Sequence, residues 1–73
     1  MDWSKCPDVE SHPDVLSGVP VVVHTRVPAD SLVEHVESGY TPEEIALDIF
    51  PSVPVSRVRR IIEFAEQHAA HPA

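Results

Sequence analysis

Apolar and polar positions alternate along one short stretch and then change period, and that change divides the chain. Residues 20–27 read PVVVHTRV, with Val21, Val23, Thr25 and Val27 alternating with Val22, His24 and Arg26. Period-two spacing with high β-branched content predicts a strand with one dry face and one mixed face. Two strands alone are marginally stable. This one therefore needs a partner, either residues 9–12 of the same chain or the same strand of a second copy, and a cover of helices. Pro13, Asp14, Ser17 and Gly18 lie between the two stretches and predict a turn in which Gly18 takes a positive φ.

From Pro28 onward the spacing is helical. Asp30 suits a helix N-terminus, Leu32, Val33 and Val36 share a face, and Gly39 supplies a left-handed stop, which predicts a first helix over 29–38. Thr41-Pro42-Glu43-Glu44 is a start signal: Thr41 caps, Pro42 takes the first helical position, and Glu44 reaches back to complete a capping box. The second helix runs through Ile45, Ala46, Leu47, Ile49 and Phe50, and Pro51 ends it. Ser52-Val53-Pro54 is a tight connector. A third helix follows over 55–68, with Val58, Ile61, Ile62, Ala65 and Ala69 in one apolar stripe. The fold class read from this pattern is mainly α, three helices preceded by a short β-strand or hairpin. It is a single domain over 1–73, made of an arm and strand (1–28), a helical part (29–68) and a tail that frays (69–73).

Composition narrows the classes. At 73 residues the chain holds one small domain, and its own core leaves stability marginal. A lone cysteine, Cys6, excludes a disulfide framework and fits a reduced, cytoplasmic setting. No apolar run reaches the ~20 residues a membrane span needs, and residues 1–11 lack the basic and apolar parts of a signal peptide. The patterned apolar residues, 42% of the chain, exclude disorder throughout. Self-association or a larger partner is the expected supplement to the core, and the strand over 21–27 is the candidate homodimer surface.

Charge then points to chemistry. The net charge is −7, yet Arg57, Arg59 and Arg60 are three of only five basic residues and fall within four positions. They sit near the start of the third helix, and the last two helices have the layout of a helix-turn-helix, whose second helix enters the major groove N-terminus first. Arginine forks bind phosphate and read guanine edges, and Ser52 and Ser56 stand beside them as phosphate donors. Ordinary surface pairing, such as Arg59 with Glu63 one turn later, explains the same residues without DNA. Phe64 lies on the arginine side of the helix. It is either a partner anchor or a packing residue for the Trp3 segment or the first helix. Trp3, Val21, Val23, Thr25, Arg26 and Phe64 are thus the candidate partner and dimer contacts.

Catalysis and metals have little support. His12, His24, His35, His68 and His71 are scattered, Cys6 has no sequence partner, and two glycines cannot build a phosphate loop. The expectation is no enzyme, no cofactor and no metal.

Spaced motifs add a resemblance. Pro13-Asp14-Val15-Leu16, Gly18-Val19-Pro20, Thr25-Arg26-Val27-Pro28, Gly39, Glu43-Glu44-Ile45 and Phe50-Pro51 occur in the order seen in the family called domain of unknown function 433. The chain resembles that family from about residue 2 to residue 65. His24 stands where the family has glycine before Thr-Arg; if that glycine serves a special backbone angle, His24 must adopt it at a cost. The third helix opens with Pro54-Val55-Ser56 where the family often has a capping Thr and acidic residues. The resemblance implies a homeodomain-like helical domain similar to VapB-type antitoxins. In such a toxin–antitoxin pair the antitoxin neutralises a PIN-like ribonuclease toxin and acts as a DNA-binding transcriptional autoregulator at operator DNA. Only residues 67–73 follow the third helix, so toxin capture would fall to the N-terminal segment or a helix face. The alternative is a non-enzymatic protein-interaction module built on Trp3, Phe64 or the strand edge, or a free-standing DNA-binding regulator without a toxin.

Overall fold

The structure, a computed structural model, describes residues 2–69. The expected fraying of the tail and the position of His71 fall outside the described residues, as does the side chain of Ala69. The fold is mainly helical, with a short two-stranded antiparallel hairpin near the N-terminus. In chain order come β1 (Val9–Glu10), β2 (Val21–Val22), α1 (Ala29–Glu37), α2 (Pro42–Glu44) and α3 (Val55–Ala69).

The helix signals act where the pattern puts them. Pro28 precedes α1 as its N-cap, and Ser38 and Gly39 end it, Gly39 at φ +105°. Thr41 Oγ1 accepts from the Glu44 backbone N–H at 3.1 Å, and Glu44 Oε1 accepts from the Thr41 N–H at 3.0 Å, which closes the capping box. The regular α-helix then stops sooner than the pattern predicts. A π-helical turn occupies Ile45–Ile49, closed by the Phe50 N–H on the Ile45 carbonyl at 2.8 Å. Phe50 stands at φ −125°, ψ 73°, because the ring of Pro51 bars it from the α conformation. The chain leaves the helix by a wide turn, and three residues, Ser52 to Pro54, separate Pro51 from the start of α3 at Val55.

The strand expected over 20–27 is corrected: it ends after two residues. His24 takes φ +62°, and the chain turns back so that the Val22 N–H reaches the Val27 carbonyl at 2.8 Å and Val21 bridges Pro28. Thr25 locks the turn; its hydroxyl donates to the Val22 carbonyl at 2.8 Å and accepts from the Val27 N–H at 3.0 Å. On its other side β2 pairs with β1, Val9 opposite Val22 and Glu10 opposite Val21. Neighbouring strand residues point to opposite faces, and Val21 and Val22 are both buried, so both faces of β2 are covered. The position at which the resemblance implies a glycine is a left-handed turn here, occupied by a histidine.

Leu32 of α1, Ile45 of the π-helical turn, Val53 of the connector and Val58, Ile61, Ile62 and Ala65 of α3 form the core, closed by Val22, Trp3 and Cys6. The α3 stripe is thus buried as its spacing requires. Its opposite face, with the arginines, is left to solvent and to the N-terminal arm.

Candidate nucleic-acid interface

Two tight turns set the arm. The Cys6 N–H donates to the Trp3 carbonyl at 3.0 Å and the Val9 N–H to the Cys6 carbonyl at 3.2 Å, and the Asp8 carbonyl accepts from the Val23 N–H at 3.0 Å. The backbone of Asp8 is pinned between arm and hairpin, and its carboxylate is delivered onto α3. There Oδ1 accepts from Arg57 Nε at 3.2 Å and from Arg60 Nη2 at 3.0 Å, while Oδ2 accepts from Arg60 Nε at 3.0 Å. Arg60 holds the carboxylate by a two-point fork and Arg57 adds a third bond.

The partners differ in exposure. The Asp8 side chain is 10% exposed, Arg57 28% and Arg60 53%. The hydrogen bond from Arg60 holds the Asp8 carboxyl below its ordinary range; burial pushes the other way, and the charges of both arginines add to the depression. Burial next to Asp8 also pushes the Cys6 thiol above its ordinary value, so it is protonated at neutral pH.

Arg59 pairs with Glu43 of α2, not with Glu63 of its own helix. Both side chains are about half exposed, so this is a surface ion pair of small energy. Ser52 and Ser56 are exposed in the connector and the first turn of α3. One surface thus brings together Arg57, Arg59 and Arg60, together with Ser56 of the same helix. Two acids that the sequence reading did not assign to this surface, Asp8 and Glu43, join it. Asp8 lies 49 residues from Arg57, and no periodicity relates an arm residue to a helix so distant. For Glu43, its place in the capping helix just before the connector was the available signal.

The candidate partner contacts go elsewhere. Trp3 is 3% exposed, stacks on Phe64 with ring centroids 5.8 Å apart, and donates from Nε1 to Asp30 Oδ1 at 2.9 Å. Phe64 in turn stacks on His68 at 4.1 Å. Both aromatics therefore direct their apolar faces to their own chain. Val21 is buried, paired with Glu10 on one side and bridged to Pro28 on the other, Val23 and Thr25 belong to the turn, and Arg26 is exposed. β2 offers no free edge for a second copy, so a dimer would need another surface. Leu47, at 77% exposed, and Tyr40 are large hydrophobic residues that remain at the surface. Among the described residues no group of three His, Cys, Asp or Glu is placed to hold a metal ion, and no helix is long and apolar enough to cross a membrane.

Comparison with known proteins places the chain in a family. Residues 9–65 match the model for a protein of unknown function, DUF433, and the chain belongs to that family. It is 38% identical over 58 residues to the uncharacterized protein y4eO of Sinorhizobium fredii, an alignment covering 80% of this chain and 26% of that protein. The fold is similar to the crystal structure of a DUF433 member protein from Anabaena variabilis. The TM-score is 0.68 at 21% identity, over 86% of this chain and 61% of that one. The chain thus spans about a quarter of the curated relative's length and under two thirds of the solved relative's chain.

Proposed function

We propose that this chain is a non-enzymatic DNA-binding module, a homeodomain-like helix-turn-helix acting as the operator-binding antitoxin of a toxin–antitoxin pair. The observation that supports it is the division of α3. Burial of Val58, Ile61, Ile62 and Ala65 turns Arg57, Arg59, Arg60 and Ser56 outward on its N-terminal half, where a recognition helix meets base edges and phosphates. α2, the π-helical turn and the connector form the element that crosses ahead of it, and Ser52 lies at their junction. An acidic chain that concentrates its cations on one helix makes a polarised contact with DNA. Its remaining negative surface suits a basic partner such as a PIN-like ribonuclease.

Arg59 is the residue on which to test it. Arg57 and Arg60 hold a buried carboxylate, so removing them disturbs the fold, whereas among the described residues Arg59 is tied only to exposed Glu43. Titration of a labelled duplex carrying the DNA upstream of the gene should give binding that weakens with salt, by about 40-fold between 50 and 200 mM for three phosphate contacts. Arg59→Ala should weaken it by about 1–3 kcal/mol if a base edge is read, with thermal stability unchanged. Unchanged affinity in Arg59→Ala would remove α3 as the recognition element. Co-expression with an adjacent PIN-like ribonuclease tests the antitoxin half; a nuclease left active by the chain overturns it.

A further inference from the structure

We propose that Arg57 and Arg60 form a phosphodiester subsite which the chain's own Asp8 carboxylate occupies in the free protein. The N-terminal arm then acts as an intramolecular competitor of DNA. This deepens the proposed function and rests on α3 being the recognition helix.

Geometry carries the inference. A carboxylate bound by two hydrogen bonds from one guanidinium and one from another is held as a phosphate oxygen pair is held by an arginine fork. Both arginines stand on the outward face of α3, and Arg60 is half exposed while paired. An incoming anion therefore reaches the fork from solvent without crossing the core. Asp8 reaches the same fork on an arm whose turns and Trp3 are fixed to the helices. Exchange of one anion for another keeps the guanidinium charges neutralised throughout. The chain's net charge of −7 disfavours non-specific DNA contact, and the occupied fork removes two of its three clustered arginines from that contact. Only a duplex that makes the remaining contacts to Arg59, Ser52 and Ser56 would displace Asp8.

The alternative role for Asp8 is to hold the two arginines in the pose DNA needs, and the two roles predict opposite signs. Affinity for the fluorescent upstream duplex is measured for the full chain, Asp8→Asn and Asp8→Glu. Competition predicts that Asp8→Asn binds about tenfold tighter while Asp8→Glu stays near the parent. Equal or weaker binding by Asp8→Asn overturns the proposal and leaves Asp8 as a positioning residue, with the DNA-binding reading intact. No binding by any of the three chains overturns the DNA-binding reading and the subsite with it. Tighter binding to RNA of the same sequence than to the duplex overturns DNA as the occupant.

Trp3, the one tryptophan, reports whether Asp8→Asn keeps the arm packed. If that variant does not fold, the parent chain decides. Adding duplex should speed modification of Cys6, which is 4% exposed two residues before Asp8, by a neutral thiol reagent. An unchanged rate with duplex bound overturns the exchange.

Discussion

At the scale of single residues the fold depends on two side chains in unusual settings. Asp8 is a buried anion with three charge-assisted hydrogen bonds. Asp8→Ala should destabilise the domain by about 1–3 kcal/mol in urea unfolding, toward the low end because the arginines it frees can hydrate. Its depressed folded pKa also fixes a sign. The folded carboxyl binds fewer protons than the unfolded one, so its contribution is complete above the ordinary value of 3.8 and is lost as pH falls through the lower folded value. The parent should weaken on acidification below about pH 4, and Asp8→Asn should show a smaller fall; an equal fall would place the acid sensitivity elsewhere. His24 is the other case. At φ +62° it holds a left-handed angle that glycine adopts freely, secured by Glu10 Oε2 accepting from its N–H at 3.1 Å. His24→Gly should raise stability by about 0.5–1 kcal/mol, the relief of backbone strain exceeding the added freedom of the unfolded chain. A lower thermal midpoint in that variant would mean that the imidazole itself stabilises the turn.

Among elements, legibility followed range. The capping box, the glycine stop after α1, the proline stop and the α3 stripe each depend on residues within a turn or two, and all stand where their spacing places them. The π-helical turn was hidden, because Ile45, Ala46 and Leu47 satisfy α and π windings alike and only the geometry ahead of Pro51 selects between them. The strand was misread for a related reason. Alternation from Val21 to Val27 looks the same whether the chain runs straight or folds at His24; the residue pattern has no glycine there to mark the turn, and only the resemblance pointed to a special backbone angle at that position. The arginine cluster was legible as a cluster, whereas its acidic partners came from an arm and a neighbouring helix. The capping box is a local device that can be tested alone. Thr41→Ala should cost about 1 kcal/mol, seen as a lower thermal midpoint with the arm still packed by Trp3 emission. A cost below a few tenths would show that the connection after α1, not the cap, sets the start of α2.

For the whole molecule the question is how so small a chain stays folded. A domain of this length has about 4–10 kcal/mol of net stability, and the arm adds Trp3 and Cys6 to the core of α1, the π-helical turn and α3. The Trp3 ring stacks on Phe64, its N–H reaches Asp30 on α1, and Asp8 ties the same arm to Arg57 and Arg60. The arm thus joins two helices that its own residues do not belong to, and the arginine face of α3 and the stability of the domain share one clasp. Trp3→Ala removes a buried aromatic worth about 3–5 kcal/mol, a large part of the total, and should leave the chain substantially unfolded at room temperature. Trp3→Phe keeps the stacking face and loses the indole N–H to Asp30, so it should cost only about 1 kcal/mol. Because Trp3→Phe removes the emission probe, the comparison is made by far-ultraviolet circular dichroism through a urea titration. If Trp3→Ala unfolds no more readily than Trp3→Phe, the arm is not what closes the core, and the Asp8 fork alone holds it to α3.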